Sequence, residues 1–242
     1  MAIPDILWLS CSPSLKRFDQ PLLRILSQHF TVARWDYSQT LDEASSLNTA
    51  IVLLHDYLKH RKQPIHLVGH GIGGVVGLLY ARQHPERVRS LTLLAVAAQP
   101  AATWHAHYYV QRQLLPCSRP QLLAQTARSL FGCPLPYSAK DLAIALSKDL
   151  ETSPTPHSLL GLGSLPKGGV AVPLLVCGSL TDPVVDSLAL QDWQAFLKPI
   201  DQLWQCDQGH HFFHYSCADR VGAAVMDFHH ASTPALPISV SL

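Results

Sequence analysis

The sequence predicts a single α/β domain built on a mostly parallel sheet with helices on both faces. Short apolar segments alternate with segments of helical periodicity along most of the chain. A glycine-rich turn joins the third apolar segment directly to a helix. The 242 residues, of which 48% are hydrophobic and 14% are charged, suit one domain with a large core.

Six short apolar segments are predicted to be the strands of this sheet. They are Ile6–Leu9, Thr31–Trp35, Ile65–Val68, Val88–Ala95, Pro173–Cys177 and Gln202–Cys206. Helical spacing of apolar residues predicts the helices between and after them. These are Leu22–Phe30, Leu47–His60, Val75–His84, Leu188–Leu197 and Ala218–Phe228.

The alternation of strands and helices stops between Gln99 and Leu165. This stretch has helical but irregular patterning, with prolines at positions that include 116, 120, 134 and 136. Its size and place predict a lid inserted over the carboxyl ends of the strands. We therefore divide the chain into a core (residues 1–98 and 166–230), a lid (99–165) and a C-terminal tail (231–242).

Charge and cysteine usage exclude several classes of protein. Lys and Arg number 18 and Asp and Glu 17, without a long basic run, so no nucleic-acid partner is expected. The six cysteines form no C-x-x-C pair, which predicts free thiols in a cytoplasmic or other reducing compartment. No signal peptide is expected, and the longest strongly apolar stretch, Leu91–Ala98, is too short to cross a bilayer.

The turn after the third strand has the form of a nucleophile elbow without its nucleophile. The run Gly69-His70-Gly71-Ile72-Gly73 matches the strand–turn–helix pattern G-x-S-x-G except at its centre. A serine there would adopt a positive φ at a cost of roughly 1–3 kcal/mol, whereas glycine adopts it without that penalty. Gly71 is therefore predicted to keep the turn and to remove the hydroxyl group.

Two further segments complete a resemblance to a known family. Gly178-Ser179-Leu180-Thr181-Asp182, inside the run 172–185, resembles the loop that carries an acid, and Gly209-His210-His211-Phe212-Phe213 resembles a G-H-x-x-F loop that carries a histidine. With the elbow, these motifs resemble the α/β-hydrolase superfamily, in the branch of esterases, lipases and haloalkane dehalogenases. The resemblance spans Asp5 to Phe228 apart from the lid. It implies the α/β-hydrolase fold, Asp182 as the acid and His210 as the base.

The resemblance also implies an altered oxyanion hole. Its two backbone N–H groups would come from Ile72 and from the loop after the first strand, at Cys11. The family usually has His-Gly in that loop, but this chain has Ser10-Cys11-Ser12-Pro13, and proline has no N–H to donate. Two altered catalytic parts favour the loss of hydrolysis more than one would.

Other reactive side chains near these motifs carry alternative interpretations. Cys11 would replace the missing nucleophile only if a nearby cation or helix N-terminus lowered its pKa. His210, His211 and His214 are close in sequence, but no acidic or thiol ligands stand at metal spacing beside them, so we predict no metal and no cofactor. His70 is expected to pack beneath the elbow as a structural histidine.

The first residues of the predicted lid are both aromatic and polar. Trp104, His107 and Tyr108 belong to the run Trp-His-Ala-His-Tyr-Tyr. They either pack the lid on the sheet domain or grip a ligand or partner, because Trp and Tyr are common in binding hot spots. We take them as candidate binding residues.

Three functions remain open from the sequence. The first is a non-catalytic protein that binds a partner protein or a small apolar ligand, for example a scaffold or assembly factor. The second is an enzyme that uses the His210/Asp182 dyad without a serine, such as a lyase, a cofactor-free oxygenase or a slow hydrolase. The third is a serine hydrolase in which Gly71 is an introduced substitution. An open, ligand-sized pocket beside Gly71 would favour an enzyme, and bulky side chains filling that space would favour a binding protein.

Overall fold

The fold is organised by a six-stranded parallel sheet, seen in a computed structural model that describes residues 4–40, 42–43, 45–154 and 165–232. The strands are β1 (Ile6–Ser10), β2 (Val32–Asp36), β3 (Ile65–His70), β4 (Val88–Leu94), β5 (Leu174–Ser179) and β6 (Gln202–Cys206). Their order is β2-β1-β3-β4-β5-β6, and every neighbouring pair is parallel. The predicted parallel sheet is confirmed.

Nine α-helices are found in the described part of the chain. They are α1 (Gln20–Leu26), α2 (Leu47–Leu58), α3 (Ile72–Gln83), α4 (Trp104–Leu114), α5 (Arg119–Phe131), α6 (Ala139–Thr152), α7 (Ser187–Gln191), α8 (Phe213–Ser216) and α9 (Ala218–Ser232). Helix α3 begins three residues before the predicted start at Val75, because the elbow turn leads into the helix at once. The segment predicted as one helix over Leu188–Leu197 is instead α7 followed by a 3-10 turn over Asp192–Ala195.

Helices cover both faces of the sheet, as the apolar strands require. Successive strand residues point to opposite faces. Leu7 and Leu9 pack in one cluster with α2 and α3, whereas Ile6 and Trp8 pack in another with α1 and α9. Almost every residue of the inner strands β1, β3, β4 and β5 is therefore buried whichever way it points, which explains why these strands are largely apolar rather than alternating. The edge strands β2 and β6 keep partly exposed residues.

Two glycines allow α3 to lie against the sheet. A Cβ on Gly73 would overlap the carbonyl oxygen of Leu9 in β1. A Cβ on Gly69 would lie 2.6 Å from the backbone of Gly73. Any side chain at these positions would therefore push the helix away from the strands that position the elbow.

The segment predicted as a lid contains α4, α5 and α6. These helices share an apolar cluster that also includes Leu15 and Phe18, from the loop after β1, and Phe212. Residues 155–164 of the predicted lid and residues 233–242 of the predicted tail lie outside the described residues, and the domain boundaries stay a prediction. Of the helices that the structure describes, none is both long and apolar enough to span a bilayer.

The buried carboxylate of Asp149 ties α6 to the loop after β1. It accepts hydrogen bonds from the hydroxyl groups of Ser12 at 3.3 Å, Ser14 at 3.3 Å and Ser153 at 2.8 Å. The Nε2 atom of His105, in α4, lies 3.2 Å from the same carboxylate, and both side chains are fully buried. This one carboxyl group thus connects α4 and α6 to the loop after β1.

Replacing this carboxylate should loosen the lid. We expect Asp149→Ala to lower the free energy of unfolding by about 3–5 kcal/mol, because three hydroxyl groups lose a buried acceptor and the buried ring of His105 loses the carboxylate beside it. Urea unfolding followed by circular dichroism measures the change. The control is Asp141→Ala in the same helix, whose carboxylate accepts only an exposed bond from Ser138 and should cost no more than about 1 kcal/mol. Equal losses in the two variants would contradict the assigned role of Asp149.

Candidate active site

Gly71 occupies the sharp turn between β3 and α3 with φ 51° and ψ −122°. Its N–H donates a hydrogen bond to the carbonyl of Leu94 at 2.9 Å. A Cβ built on Gly71 would meet no atom within 4 Å. The predicted positive φ is confirmed, and a side chain at this position would strain the backbone without clashing.

The histidine that pairs with Asp182 is His211, so the prediction of His210 as the base is wrong. His211 Nδ1 lies 2.9 Å from Asp182 Oδ2. His210 takes a positive φ of 54°, and its N–H donates to Thr181 Oγ1 at 3.1 Å. Its ring lies where a Cβ on Gly132 would stand, outside the site. This turn directs the side chain of His210 toward Gly132, at the end of α5, so that His211 faces Asp182.

The Asp182–His211 pair is buried and fixed by the backbone. The exposed fraction is 3% for Asp182 and 1% for His211. The second carboxylate oxygen, Oδ1, accepts hydrogen bonds from the N–H groups of Val184 at 2.8 Å and Val185 at 3.2 Å. Burial by itself raises the pKa of Asp182, but His211 and these two donors outweigh it and hold that pKa below its ordinary value. The ionised carboxylate therefore orients the ring through Nδ1.

The other ring nitrogen of His211 is left without a partner. Nε2 is buried, and no described residue forms a hydrogen bond with it. In an intact triad this atom takes the proton of the nucleophile. The acid and the base of a triad are thus paired, but the hydroxyl group on which they would act is missing at Gly71.

A small, partly open cavity lies beside Gly71 among bulky side chains. It offers about 20 Å³ to the centre of a water molecule, which is enough for roughly one water. Among the described residues, His70 and Phe212, which lie next to His211, line this cavity. His211 itself does not line it. The remaining lining residues are Trp8, Leu9, Ser10, Cys11, Ser12, Leu15, Asp19, Gly71, Ile72 and Trp104.

Cys11 and Ile72 border this cavity, one on each side of the elbow, but Cys11 is no substitute nucleophile. Its thiol is 1% exposed. Burial, reinforced by the charges of Asp149 and Asp36, raises the pKa of Cys11 far above its ordinary value. A thiol that stays protonated does not act as a nucleophile, so the side chain of Cys11 forms part of the cavity wall.

His70 lies beneath the elbow and connects two other histidines. Its Nε2–H donates to the carbonyl oxygen of His211 at 3.0 Å, and its ring lies 4.1 Å from that of His214. Burial, together with His214 and His211, lowers the pKa of His70 well below its ordinary value, so the ring is neutral. Among the residues that the structure describes, no group of three or more His, Cys, Asp and Glu side chains is arranged to hold a metal ion.

The lid aromatics pack inward instead of facing a partner. Trp104 is 3% exposed and Tyr108 is fully buried, so of the two interpretations of these residues the packing one fits, and the one in which they form a surface that grips a partner is wrong. Trp104 lines the elbow cavity, and His107 is half-buried with Nε2 2.8 Å from the Gln111 side chain. The exposed apolar side chains of this helix are Tyr109, Val110 and Leu114.

Comparison with known proteins identifies the family. The model described as "alpha/beta hydrolase fold" matches residues 44–216, which include the elbow, Asp182 and His211. The chain belongs to the α/β-hydrolase family. Its match covers most of the chain and both loops of the acid–base pair.

Two relatives resemble this α/β-hydrolase along nearly its whole length. The uncharacterized protein alr2406 of Nostoc sp. is 51% identical over 224 residues, which cover 93% of this chain and 90% of that protein. The uncharacterized protein sll0249 of Synechocystis sp. is 44% identical over 210 residues, covering 87% and 84%.

Solved structures share the fold at low sequence identity. An enol-lactonase from Burkholderia xenovorans matches 95% of this chain and 92% of its own, with a TM-score of 0.63 and 18% identity. A bacterial membrane phospholipase A matches 96% of this chain and 80% of its own, with a TM-score of 0.69 and 16% identity. At such identities the likeness shows the fold alone.

Two alanine variants separate backbone strain from steric overlap at the elbow. We expect Gly71→Ala to lower the free energy of unfolding by about 1–2 kcal/mol, because alanine at positive φ is strained but finds open space. Gly69→Ala should cost about 3 kcal/mol or more, because its Cβ would overlap the start of α3. Chemical unfolding of both variants measures the difference, and a larger loss for Gly71→Ala would refute this description of the turn.

Proposed function

We propose that this α/β-hydrolase family protein is non-catalytic and acts by binding a partner protein. The observation that carries the proposal is the elbow itself: Gly71 supplies no nucleophile, and the adjoining cavity has room for about one water. Loss of a triad nucleophile typically costs about 10⁴–10⁶ in rate. Without that group no acyl-enzyme forms at the turn.

The small volume of the cavity also argues against a small apolar ligand at the elbow. Sites for such ligands typically enclose roughly 300–1,000 Å³, whereas this cavity offers about 20 Å³ to the centre of a water molecule. Trp104 and Phe212, which border it, are only 3% exposed. Recognition then falls to the outer surface of the molecule, which favours another protein as the partner.

In this proposal the Asp182–His211 pair has a structural role. Asp182 joins the N–H groups of Val184 and Val185 to the ring of His211. The pair therefore holds the loop after β5 against the loop after β6. This structural role explains why the Asp182–His211 pair is intact although the nucleophile is absent.

A second candidate function, enzymatic general-base chemistry without a covalent step, has one observation in its favour. The unpartnered Nε2 of His211 is backed by an ionised carboxylate, as a general base requires. A lyase, a cofactor-free oxygenase or a slow hydrolase would use this atom. Substrate would have to displace Trp104 or Phe212 to reach it.

Ester turnover distinguishes the two functions. We expect the wild-type protein to hydrolyse p-nitrophenyl acetate no faster than His211→Ala, because no hydroxyl is present for His211 to activate. The control is His60→Ala, which removes an exposed imidazole far from the site and corrects for ester cleavage by surface histidines. Turnover that His211→Ala abolishes and His60→Ala preserves would refute the non-catalytic proposal and favour the second candidate.

A restored hydroxyl tests whether the cavity is closed in solution. We expect Gly71→Ser to gain less than about tenfold in ester turnover, and mass spectrometry to find no adduct with a fluorophosphonate, because a cavity for about one water excludes the reagent. Rapid labelling of the introduced serine would show that the lid opens freely and that only the oxygen atom was missing. The double variant Gly71→Ser with His211→Ala checks that any labelling depends on the base.

A further inference from the structure

A second carboxylate–imidazole pair lies behind the elbow. Asp19 Oδ1 is 3.2 Å from His214 Nε2. The other oxygen, Oδ2, accepts a hydrogen bond from Trp8 Nε1–H at 3.0 Å. Asp19 is 8% exposed, and Trp8 and His214 are fully buried. The carboxyl group thus has two nitrogen partners, one on each oxygen, and almost no contact with bulk water.

This pair is separate from Asp182–His211 but adjoins the same cavity. His70 stands between the two pairs, with its ring against that of His214 and its Nε2–H on the carbonyl of His211. Asp19, His70 and Trp8 line the cavity beside Gly71. The second ring nitrogen of His214, Nδ1, is buried and forms no hydrogen bond within the described residues.

Burial decides which member of the pair holds a proton. Burial raises the pKa of Asp19 to about 7; the Trp8 hydrogen bond and Arg34, from β2, oppose this rise, and Asp36 and Asp149 reinforce it. Burial, reinforced by His211, lowers the pKa of His214 to about 3. Two neutral groups are therefore favoured over a buried imidazolium–carboxylate ion pair.

We propose that Asp19 and His214 form a proton-binding site on the wall of the elbow cavity, in which the carboxylate takes up one proton as the pH falls. In the ionised state, Asp19 accepts hydrogen bonds from His214 Nε2–H and Trp8 Nε1–H. In the protonated state, the new carboxyl O–H donates to His214 Nε2, and the single ring proton moves to Nδ1. One proton enters from solvent, and the charge of the pair changes from −1 to zero.

Because Asp19 lines the cavity, binding of the proton changes the charge of the cavity wall. A water beside Gly71 meets a charged wall above the midpoint of the titration and a neutral wall below it. Asp19 also follows Phe18, whose ring packs on Phe131 and Phe212 at 4.5 and 5.3 Å. The proton thus binds where the lid, the loop after β1 and the loop that carries His211 meet. This inference does not depend on whether the protein is catalytic.

The indole N–H of Trp8 reports on the state of Asp19 directly. In ¹H–¹⁵N spectra of protein labelled at tryptophan, we expect the Trp8 indole signal to titrate with a midpoint between about pH 6 and 8, because its acceptor loses charge. Trp193 is the matched control: it is fully buried, and its indole N–H donates to the backbone carbonyl of Val96 at 2.9 Å. Asp19→Asn should abolish the Trp8 titration and leave Trp193 unchanged.

A second measurement on the wild-type protein removes any dependence on how the variant folds. The ¹³C signal of the Asp19 carboxyl group should titrate with the same midpoint as Trp8. A Trp8 signal that is constant from pH 5 to 9, or one that still titrates in folded Asp19→Asn, would overturn the proposal. So would an imidazolium signature on His214 with this midpoint, because it would place the proton on the ring.

Discussion

The turn at Gly71 is the constraint on which the site depends. It must reverse the chain from β3 into α3 within one residue, and it does so with a backbone conformation that glycine adopts without penalty. Gly69 and Gly73 let α3 lie directly on β1 and β3. This close packing fixes Ile72 and the loop at Cys11 on either side of the elbow. The frame of a hydrolase site therefore persists without the side chain it was built to present.

Three buried carboxylates connect the segments around this turn. Asp182 joins the loops after β5 and β6, Asp19 joins the loop after β1 to α8, and Asp149 joins that loop to the lid. Each carboxylate has an imidazole within 3.2 Å and further N–H or O–H donors. Such pairs contribute little net stability compared with apolar packing, but breaking one leaves a buried charge uncompensated. Their main effect is to specify how these segments fit together.

The sequence was sufficient to predict the sheet and the elbow, because both follow from local patterns. Short apolar runs predicted six strands close to their observed bounds, and the glycine spacing identified the turn. The identity of the base could not be predicted in the same way. His210 and His211 are adjacent, and the choice between them depends on Thr181 and Gly132, which are distant in sequence.

Other site residues were missed because no pattern marks them. Asp19 and Asp149 are single acidic residues in the sequence, and only the fold brings His214 and His105 beside them. The lid aromatics led to the opposite error. Trp104 and Tyr108 have the composition of a binding surface, but their helix turns them toward the core and leaves Val110 and Leu114 exposed. Side-chain identity alone does not distinguish the two faces of a helix.

The absent nucleophile and the small volume of the cavity are consistent with each other. A hydrolase must keep the space beside its elbow open for substrate, although an open apolar space forfeits packing contacts that a filled one gains. In a protein without this hydroxyl group, no substrate has to reach the elbow, so the space beside it need not stay open. Trp104 and Phe212 are then free to pack beside Gly71, and Asp149 secures the lid that carries Trp104. In the non-catalytic protein that we propose, the narrow cavity follows from the absence of the hydroxyl group, and α4 packs as part of the core.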